Sequence, residues 1–559
     1  MEQTHIELKD QAGISAQPAG VSRGRLYPQR ILTLLQRYQS IVIGGVLFLA
    51  ALGFDLYRLG TPSIWFDEAF SVGLARQPLP VLWQIIWGPE PNMELYYLFL
   101  HFWLQLTSAL GMIPTEFLVR LPSAIFAALS TLALFLFARR FLSLWAAIVA
   151  TGLYLLNDLQ LVYAQQTRAY SLQLLLLCLA WYALFMAFTA ETHPRRWWLC
   201  YIVTATLAFY AQLFSALILV AQVAAVAVLL LIPNAWRTQM RKRLLAFVIS
   251  LLIAGILSTP MILTSRHGSK ATGWLPVPHL QDISTLFMNI GANSKIFLLL
   301  IGALCVLGCL VALLASLRPL PKINTFLSIN ASEDEAKRGR QRLPIAIAAL
   351  CWLLLPILLS FVISQGQTRI FSTRYLVTVV PPLCLLAGLG VAAFRFSIVK
   401  AVIAVALLAL AFHYTPLYYH NAQIEDWRTA TSWLVQRYQP GDGMVCYTNS
   451  QGCQVSIEYY LTRDQSEAHF DSDTPGAFSW ANDGPLNGQA GYDAAVDPVA
   501  LAAYGAHHPH LFFIVARLSS NDQAAKARAA QQWLDTHYHF VGQIVTPAIT
   551  IRLYATGTE

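Results

Sequence analysis

Twelve apolar runs limit what this 559-residue chain can fold into more than any other feature. Each is about 17–22 residues long, the length a helix needs to cross a hydrocarbon core of roughly 30 Å. They lie at 40–58, 93–111, 120–138, 142–160, 171–190, 198–214, 216–232, 244–264, 296–316, 343–364, 375–394 and 397–414. Composition agrees with lipid as the main solvent: 56% of residues are hydrophobic and 12% charged, against roughly 25% charged in soluble proteins. A cytosolic enzyme fold, a disordered tail protein and a secreted disulfide scaffold are weak readings from the start. Eight cysteines, widely scattered, make no disulfide or zinc framework. The run 40–58 lacks a small-residue cleavage site after it and reads as an uncleaved anchor.

Positive charge orients the spans. Basic clusters stand at Arg23, Arg25, Arg30 and Arg37, at Arg139–Arg140, at Arg195–Arg196, at Arg237 to Arg243, from Arg318 to Arg342, and at Arg395 and Lys400. If all twelve runs cross, most later clusters fall outside; if one early run does not, every cluster falls inside. The run 93–111 carries Glu94, His101 and Gln105 and follows Pro89 and Pro91, so it is expected to lie in the outer interface. The expected fold is an α-helical polytopic membrane protein: about eleven crossings, interfacial helices in the first outer loop, and a small extracytoplasmic α/β domain. Its divisions are a cytoplasmic segment 1–39, a membrane domain 40–414 and an outer domain 415–559. The single Asn-x-Ser site, at Asn330, falls inside, which favours a prokaryotic plasma (inner) membrane.

This topology explains the net charge of +8. Of 37 Lys and Arg, 21 fall in inside segments, nine in outer loops and seven after residue 414, where they meet 14 Asp and Glu. The balance averages a basic inner rim with an acidic outer domain, so no nucleic-acid partner is implied. The loop 317–342 reads as a solvated connector. In the tail, helices are expected at 426–437, 453–461, 498–506 and 521–536, strands at 443–447, 510–516, 538–544 and 547–554, and a loop at 470–492. Cys446 and Cys453 either pair, in an oxidising compartment, or stay as buried thiols.

Polar groups set against a membrane are costly and mark function. In the first outer loop, Asp67 and Glu68 sit between Trp65-Phe66 and Phe70. Asp67 either caps a helix or serves as a general base or metal ligand. Glu94, Tyr97 and His101 lie in the aromatic interfacial run. A second loop holds Asp158, Tyr163, Gln165, Arg168 and Tyr170; a guanidinium there suits a phosphate, or reaches lipid headgroups. His267 and Lys270 lie in a third loop, Arg374 and Tyr375 in a fourth. No Walker loop, dinucleotide fingerprint or metal spacing is present.

The segments "WFDE", "LYYLFLHFW", "RLPSAIFA", "YAQQTRAYSL", "YAQLFSALILVAQ", "STRYLVTVVPPL" and "EDWRTATSWL", in this order, resemble bacterial family 39 glycosyltransferases. These belong to the GT-C superfamily, with the aminoarabinose transferases and protein O-mannosyltransferases. The likeness covers about residues 60–435. It implies a polyprenyl-phosphate sugar as donor, membrane lipids as surroundings, and a glycan, lipid or protein hydroxyl as acceptor on the outer face. It places Asp67 as base with Glu68 completing the motif. Arg168 and Arg374, helped by His267 or Lys270, would meet the donor phosphate. Glu94, Tyr97, His101, Asp158, Tyr163, Gln165, Tyr170 and Tyr375 would line the donor or acceptor pocket. The chain has Gln165-Gln166 where the family often has Gln-Glu, and Asn92-Met93-Glu94-Leu95 where many members have His-Pro-Pro. A divalent metal is left open as cofactor. The competing readings are a lipid or sugar-lipid transporter (flippase) and a lipid-linked glycan ligase or polymerase.

Overall fold

The computed structural model describes residues 26–88, 90, 92–265, 275–316, 333–448, 450–480, 495–518 and 520–557. Two compact units are found, Met1–Val46 and Leu47–Glu559; the site lies wholly within the second. The membrane part begins with α1 (Leu26–Leu56), followed by three short helices, α2 (Phe66–Ala75), α3 (Leu79–Ile86) and α4 (Glu94–Ala109). Then come α5 (Glu116–Phe141), α6 (Leu144–Leu155), α7 (Asp158–Ala164), α8 (Tyr170–Thr189), α9 (Pro194–Ala211), α10 (Ser215–Leu231) and α11 (Arg237–Ser265). It ends with α12 (Leu280–Ile290), α13 (Lys295–Ser316), α14 (Glu333–Ile363), α15 (Thr373–Leu376), α16 (Val380–Ala392) and α17 (Ser397–His420).

All eleven runs assigned as crossings fall on helices. Among the described residues, eight helices are long and apolar enough to cross a membrane, and α6 with α7, bent by 60°, adds a ninth if the pair is one span. The other two fall short by length and charge: α10 has 17 residues, and α9 opens on Pro194-Arg195-Arg196. The run 93–111 forms α4, 16 residues long and not among the spans. The α6–α7 bend has a local cause. Asn157 Oδ1 caps α7 by accepting from Gln160 N–H, and its Nδ2 donates to Ile290 O; a cap of this kind competes with helix continuation.

Burial separates core helices from lipid-facing ones. The span Thr373–Ala392 is wholly buried from Leu376 onward, whereas Ser397–His420 and Arg237–Ser265 expose most of their surface, including Leu245, Leu252 and Ile256. A soluble protein would not tolerate such apolar faces. A Cβ on Gly390 would strike the Leu304 carbonyl, and one on Gly388 the Ala146 carbonyl. Glycine lets α16 sit against α13 and α6 at this distance.

The tail holds α18 (Trp427–Val435), β1 (Gly443–Cys446), α19 (Ser450–Arg463), α20 (Pro498–Gly505), β2 (His510–Ala516), α21 (Asn521–His537), β3 (His539–Thr546) and β4 (Ile549–Ala555). The sheet order is β1-β2-β4-β3, with β1 parallel to β2 and the other pairs antiparallel. Val445, Leu511, Phe513, Leu534 and Tyr554 form its core. Cys446 and Cys453 form a disulfide, so of the two outcomes open from sequence the paired one is observed.

Candidate active site

Asp67 and Glu68 lie in the first turn of α2, whose N-cap is Trp65; Asp67 therefore does not cap the helix. Successive helical residues point about 100° apart, so the two carboxylates meet different walls. Glu68 is fully buried. It accepts two hydrogen bonds from Arg120 of α5, from Nε at 2.8 Å and Nη2 at 2.7 Å, and a third from Thr167 N–H at 2.8 Å. Arg120 spends its remaining N–H groups on the carbonyls of Leu59, Pro62 and Ser63. This fork clamps the segment leading into α2.

Asp67 faces two other arginines. Arg374 Nη1 lies 2.9 Å from its Oδ2, and Arg168 Nη2 3.9 Å from the same oxygen. Arg168 Nη1 also donates to Asp67 O and to Ser71 Oγ, and it is buried rather than reaching outward. Burial works against its cation, but Tyr97, Asp67, Tyr170 and Glu90 more than offset this and hold its pKa above the ordinary value. Both arginines sit where helices break: Arg168 between α7 and α8, Arg374 in the single turn α15. A helix break lets the two side chains converge on α2 from separate parts of the bundle.

Around this cluster lie buried polar atoms with no hydrogen-bond partner: Arg168 Nε, Tyr97 OH, Tyr170 OH and both oxygens of Glu94. Groups left in this state cost about 1–3 kcal/mol each unless a ligand or water meets them. Glu90 is raised to about 7, by burial first, with Arg168 opposing and Asp67 adding. Glu94 is raised to about 8, again by burial first, with its own backbone N–H opposing and Glu90 adding. Tyr163 packs on Tyr170 (ring centroids 4.6 Å apart), Tyr170 lies 6.4 Å from Tyr375, and Phe214 stacks on Tyr375 at 5.8 Å. Gln212, at the α9–α10 break, has a buried and unpartnered Nε2.

Other expected site residues are placed elsewhere. His101 uses both nitrogens internally, Nδ1 against Ala75 O and Nε2 against Gln105 Nε2. Gln165 donates to Asp55 O and Tyr57 O and accepts from Tyr418 OH, tying α1 to α17. Asp158 lines a separate cavity. His267 and Lys270 lie outside the described residues. Among the described residues, the side chains that group like metal ligands are Asp471, Asp473 and His508, in the tail.

The tail grips the loop that carries Asp67. Glu425 Oε2 accepts from Phe66 N–H at 3.0 Å and from Trp427 Nε1 at 2.6 Å. Tyr460 OH meets Ser63 Oγ, Ile64 N–H and Glu116 Oε1 at 2.8–2.9 Å. Arg428 pairs with Glu116 at 2.7 Å and donates to Gly60 O and Thr61 O. Trp480 packs on Phe70 of α2, ring centroids 5.2 Å apart.

The structure of ArnT from Cupriavidus metallidurans bound to undecaprenyl phosphate aligns with this chain at TM-score 0.60 and 12% identity, over 91% of this chain and 97% of that one. The chain has the GT-C glycosyltransferase fold. The apo form of the same ArnT aligns at 0.56 and 12% identity, over 92% and 99% of the two chains. An Archaeoglobus fulgidus oligosaccharyltransferase, in complex with Zn and sulfate, aligns at 0.50 and 11% identity, over 92% of this chain and 73% of that one. Residues 98–263 match the family described as dolichyl-phosphate-mannose-protein mannosyltransferase. No curated protein sequence matches the chain.

Within this GT-C fold, the sequence reading named Asp67, Arg168, Arg374 and the tyrosines, but missed Arg120, Glu90, Gln212, Glu425 and Tyr460. Three of the five lay in stretches already quoted, Arg120 in "RLPSAIFA", Gln212 in "YAQLFSALILVAQ" and Glu425 in "EDWRTATSWL", and Glu90 stands two residues before Asn92. Tyr460 carried no motif.

Proposed function

We propose that the chain transfers a sugar from a polyprenyl-phosphate donor to a hydroxyl of a lipid, glycan or protein acceptor, with inversion at the anomeric carbon. The observation that carries this reading is Asp67 within ion-pair distance of two guanidiniums from separate helix breaks. Arg168 and Arg374 bind the donor phosphate. Two phosphate oxygens compete with Asp67 for the guanidiniums and so release its carboxylate to act as a base. The acceptor O–H gives its proton to Asp67 as its oxygen bonds to the anomeric carbon. The bond from that carbon to phosphate oxygen breaks, and polyprenyl phosphate leaves with one more negative charge, which the arginines stabilise. Tyr163, Tyr170, Tyr375 and Phe214 supply aromatic walls, and Tyr97, Glu94 and Gln212 polar contacts for the sugar. Glu68 and His101 hold the scaffold, not the substrate.

The charge asymmetry of the loops supports a site on the extracytoplasmic side of a plasma membrane, with the N-terminus cytoplasmic. The paired Cys446 and Cys453 support an oxidising compartment for the tail. We take 40–414 as the transferase domain and 415–559 as an outer domain that fixes its first loop. Incubating purified protein with labelled polyprenyl-phosphate sugars tests the reading: transfer releases polyprenyl phosphate, and a transporter leaves the donor intact.

A further inference from the structure

The chain has eight cysteines; six are free, and the other two form the Cys446–Cys453 disulfide. The bond joins two elements with different attachments. Cys446 ends the buried strand β1, which pairs with β2 and sets Cys446 opposite Ile514. Cys453 stands in the first turn of α19. Between them, the buried Thr448 Oγ1 and Gln451 Nε2 have no hydrogen-bond partner, so neither duplicates the covalent tie.

Through α19 the tail reaches the loop that carries Asp67. Cys453 and Tyr460 are two helical turns apart and share a face. Tyr460 OH holds Ser63 and Ile64, just ahead of Asp67. The neighbouring face lies on α2 itself: a Cβ on Gly73 would come within 3.4 Å of Val455 Cγ1 and 3.0 Å of the Trp480 ring. Gln454 in turn fixes the stretch leading to Trp480, accepting from Phe478 N–H at 2.8 Å and donating to Phe478 O at 3.2 Å. Further along, Tyr459 OH donates to Pro114 O at 2.8 Å, and Arg463 pairs with Glu116 at 3.1 Å. All of these contacts depend on where α19 begins, and the disulfide ties that point to the sheet.

We infer that the Cys446–Cys453 disulfide is a positioning element for Asp67. Oxidised, it holds α19 and with it the turn that carries the carboxylate. Reduced, it loosens both, so sugar transfer depends on the redox state of the tail. The reductant is a dithiol: it gives two electrons and two protons, the S–S bond breaks into two thiols, and the dithiol closes to its own disulfide. The effect on transfer rests on the transferase reading; the effect on the first loop does not.

The test compares full-length protein in nanodiscs before and after dithiothreitol, with thiol labelling to follow the bond. The double variant Cys446→Ala with Cys453→Ala is a second route to the broken bond, should the reagent not reach it; reduced wild type serves should the variant not fold. The first readout is hydrogen exchange of segment 63–70, whose Ile64 and Phe66 N–H groups bond to Tyr460 and Glu425. Breaking the bond is expected to speed this exchange about ten-fold or more, as a local opening. The second is polyprenyl phosphate release: kcat is expected to fall about ten-fold or more from a misplaced base, with KM for the donor unchanged. Reoxidation with glutathione disulfide should restore both in wild type, and the double variant should ignore dithiothreitol. Tyr460→Phe separates positioning from general stability. If the bond acts through α19, reduction adds little to the kcat loss of Tyr460→Phe, whereas independent losses multiply. Unchanged exchange, faster exchange with unchanged kcat, or multiplying losses overturn the inference. Faster exchange in a protein that releases no polyprenyl phosphate in either state supports the hold on the loop and sinks only the transferase reading. Release at the same kcat and the same exchange in both states sinks this inference alone.

Discussion

Arg374 Nη1 lies 2.9 Å from Oδ2 of Asp67, a residue 307 positions earlier in the chain. The contact joins α2, in the first loop, to the helix break ahead of α16. If both arginines stabilise the departing phosphate, Arg374→Ala lowers single-turnover release by about 100- to 1000-fold, the effect of removing one preorganised donor. Arg374→Lys keeps the charge but not the planar fork, and recovers only part of the rate. Equal rates for Ala and wild type contradict the assignment.

Glu68 contributes to the fold rather than to the chemistry. Removing one partner of a buried ion pair costs about 3–5 kcal/mol, and Arg120 sits 2.7 Å from Glu68 with both side chains almost wholly buried. Glu68→Gln is expected to lower the melting temperature in detergent sharply. Asp67→Asn, at a pair whose side chains are 15% and 24% exposed, should lower it less. Melting curves of the two variants decide the matter.

Glu425 is a positioning residue. Its carboxylate accepts from the N–H of Phe66, next to Asp67. Glu425→Gln weakens that charge-assisted bond by about 1–2 kcal/mol, which corresponds to roughly ten-fold in kcat if α2 shifts. KM for the sugar donor should stay the same, because the arginines are untouched. Tyr460→Phe, which loses two contacts to the same loop and one to Glu116 at the start of α5, should act in the same direction. A change in KM alone would place these residues in binding.

Glu90 and Glu94 predict a pH dependence. Burial raises both from 4.5, to about 7 and about 8, so the fold favours their protonated forms. Their contribution to stability is complete below about pH 4.5 and is lost as pH rises through 7 and 8. Over the same window Glu90 gains a negative charge that acts on Arg168, and Glu94 gains one that acts on Glu90, so KM for an anionic donor should rise between pH 7 and 9. Glu90→Gln with Glu94→Gln should flatten that rise, as a KM profile of the double variant would show.

The apolar runs were legible because a bilayer demands a fixed helix length, and the tail because its strands and helices carry clear periods. The α6–α7 bend was not, since Asn157 as a cap looks like any polar residue within an apolar run. At the site, Asp67, Arg168 and Arg374 were legible as charges placed against a membrane. Arg120 was hidden because it lies at the start of an apolar run, and its fork with Glu68 depends on a pairing across 52 positions. Glu68 read as Asp67's companion because adjacency in sequence hides the 100° turn between them. The hold of Glu425 and Tyr460 on the first loop joins residues some 360 and 400 positions apart, a separation at which no local pattern signals contact.

The most direct measurement is release of labelled polyprenyl phosphate from a polyprenyl-phosphate sugar, by wild type and by folded Asp67→Asn. Removing the general base should lower release by about 100-fold or more, with donor binding retained through Arg168 and Arg374. Release by Asp67→Asn at the wild-type rate would contradict the account.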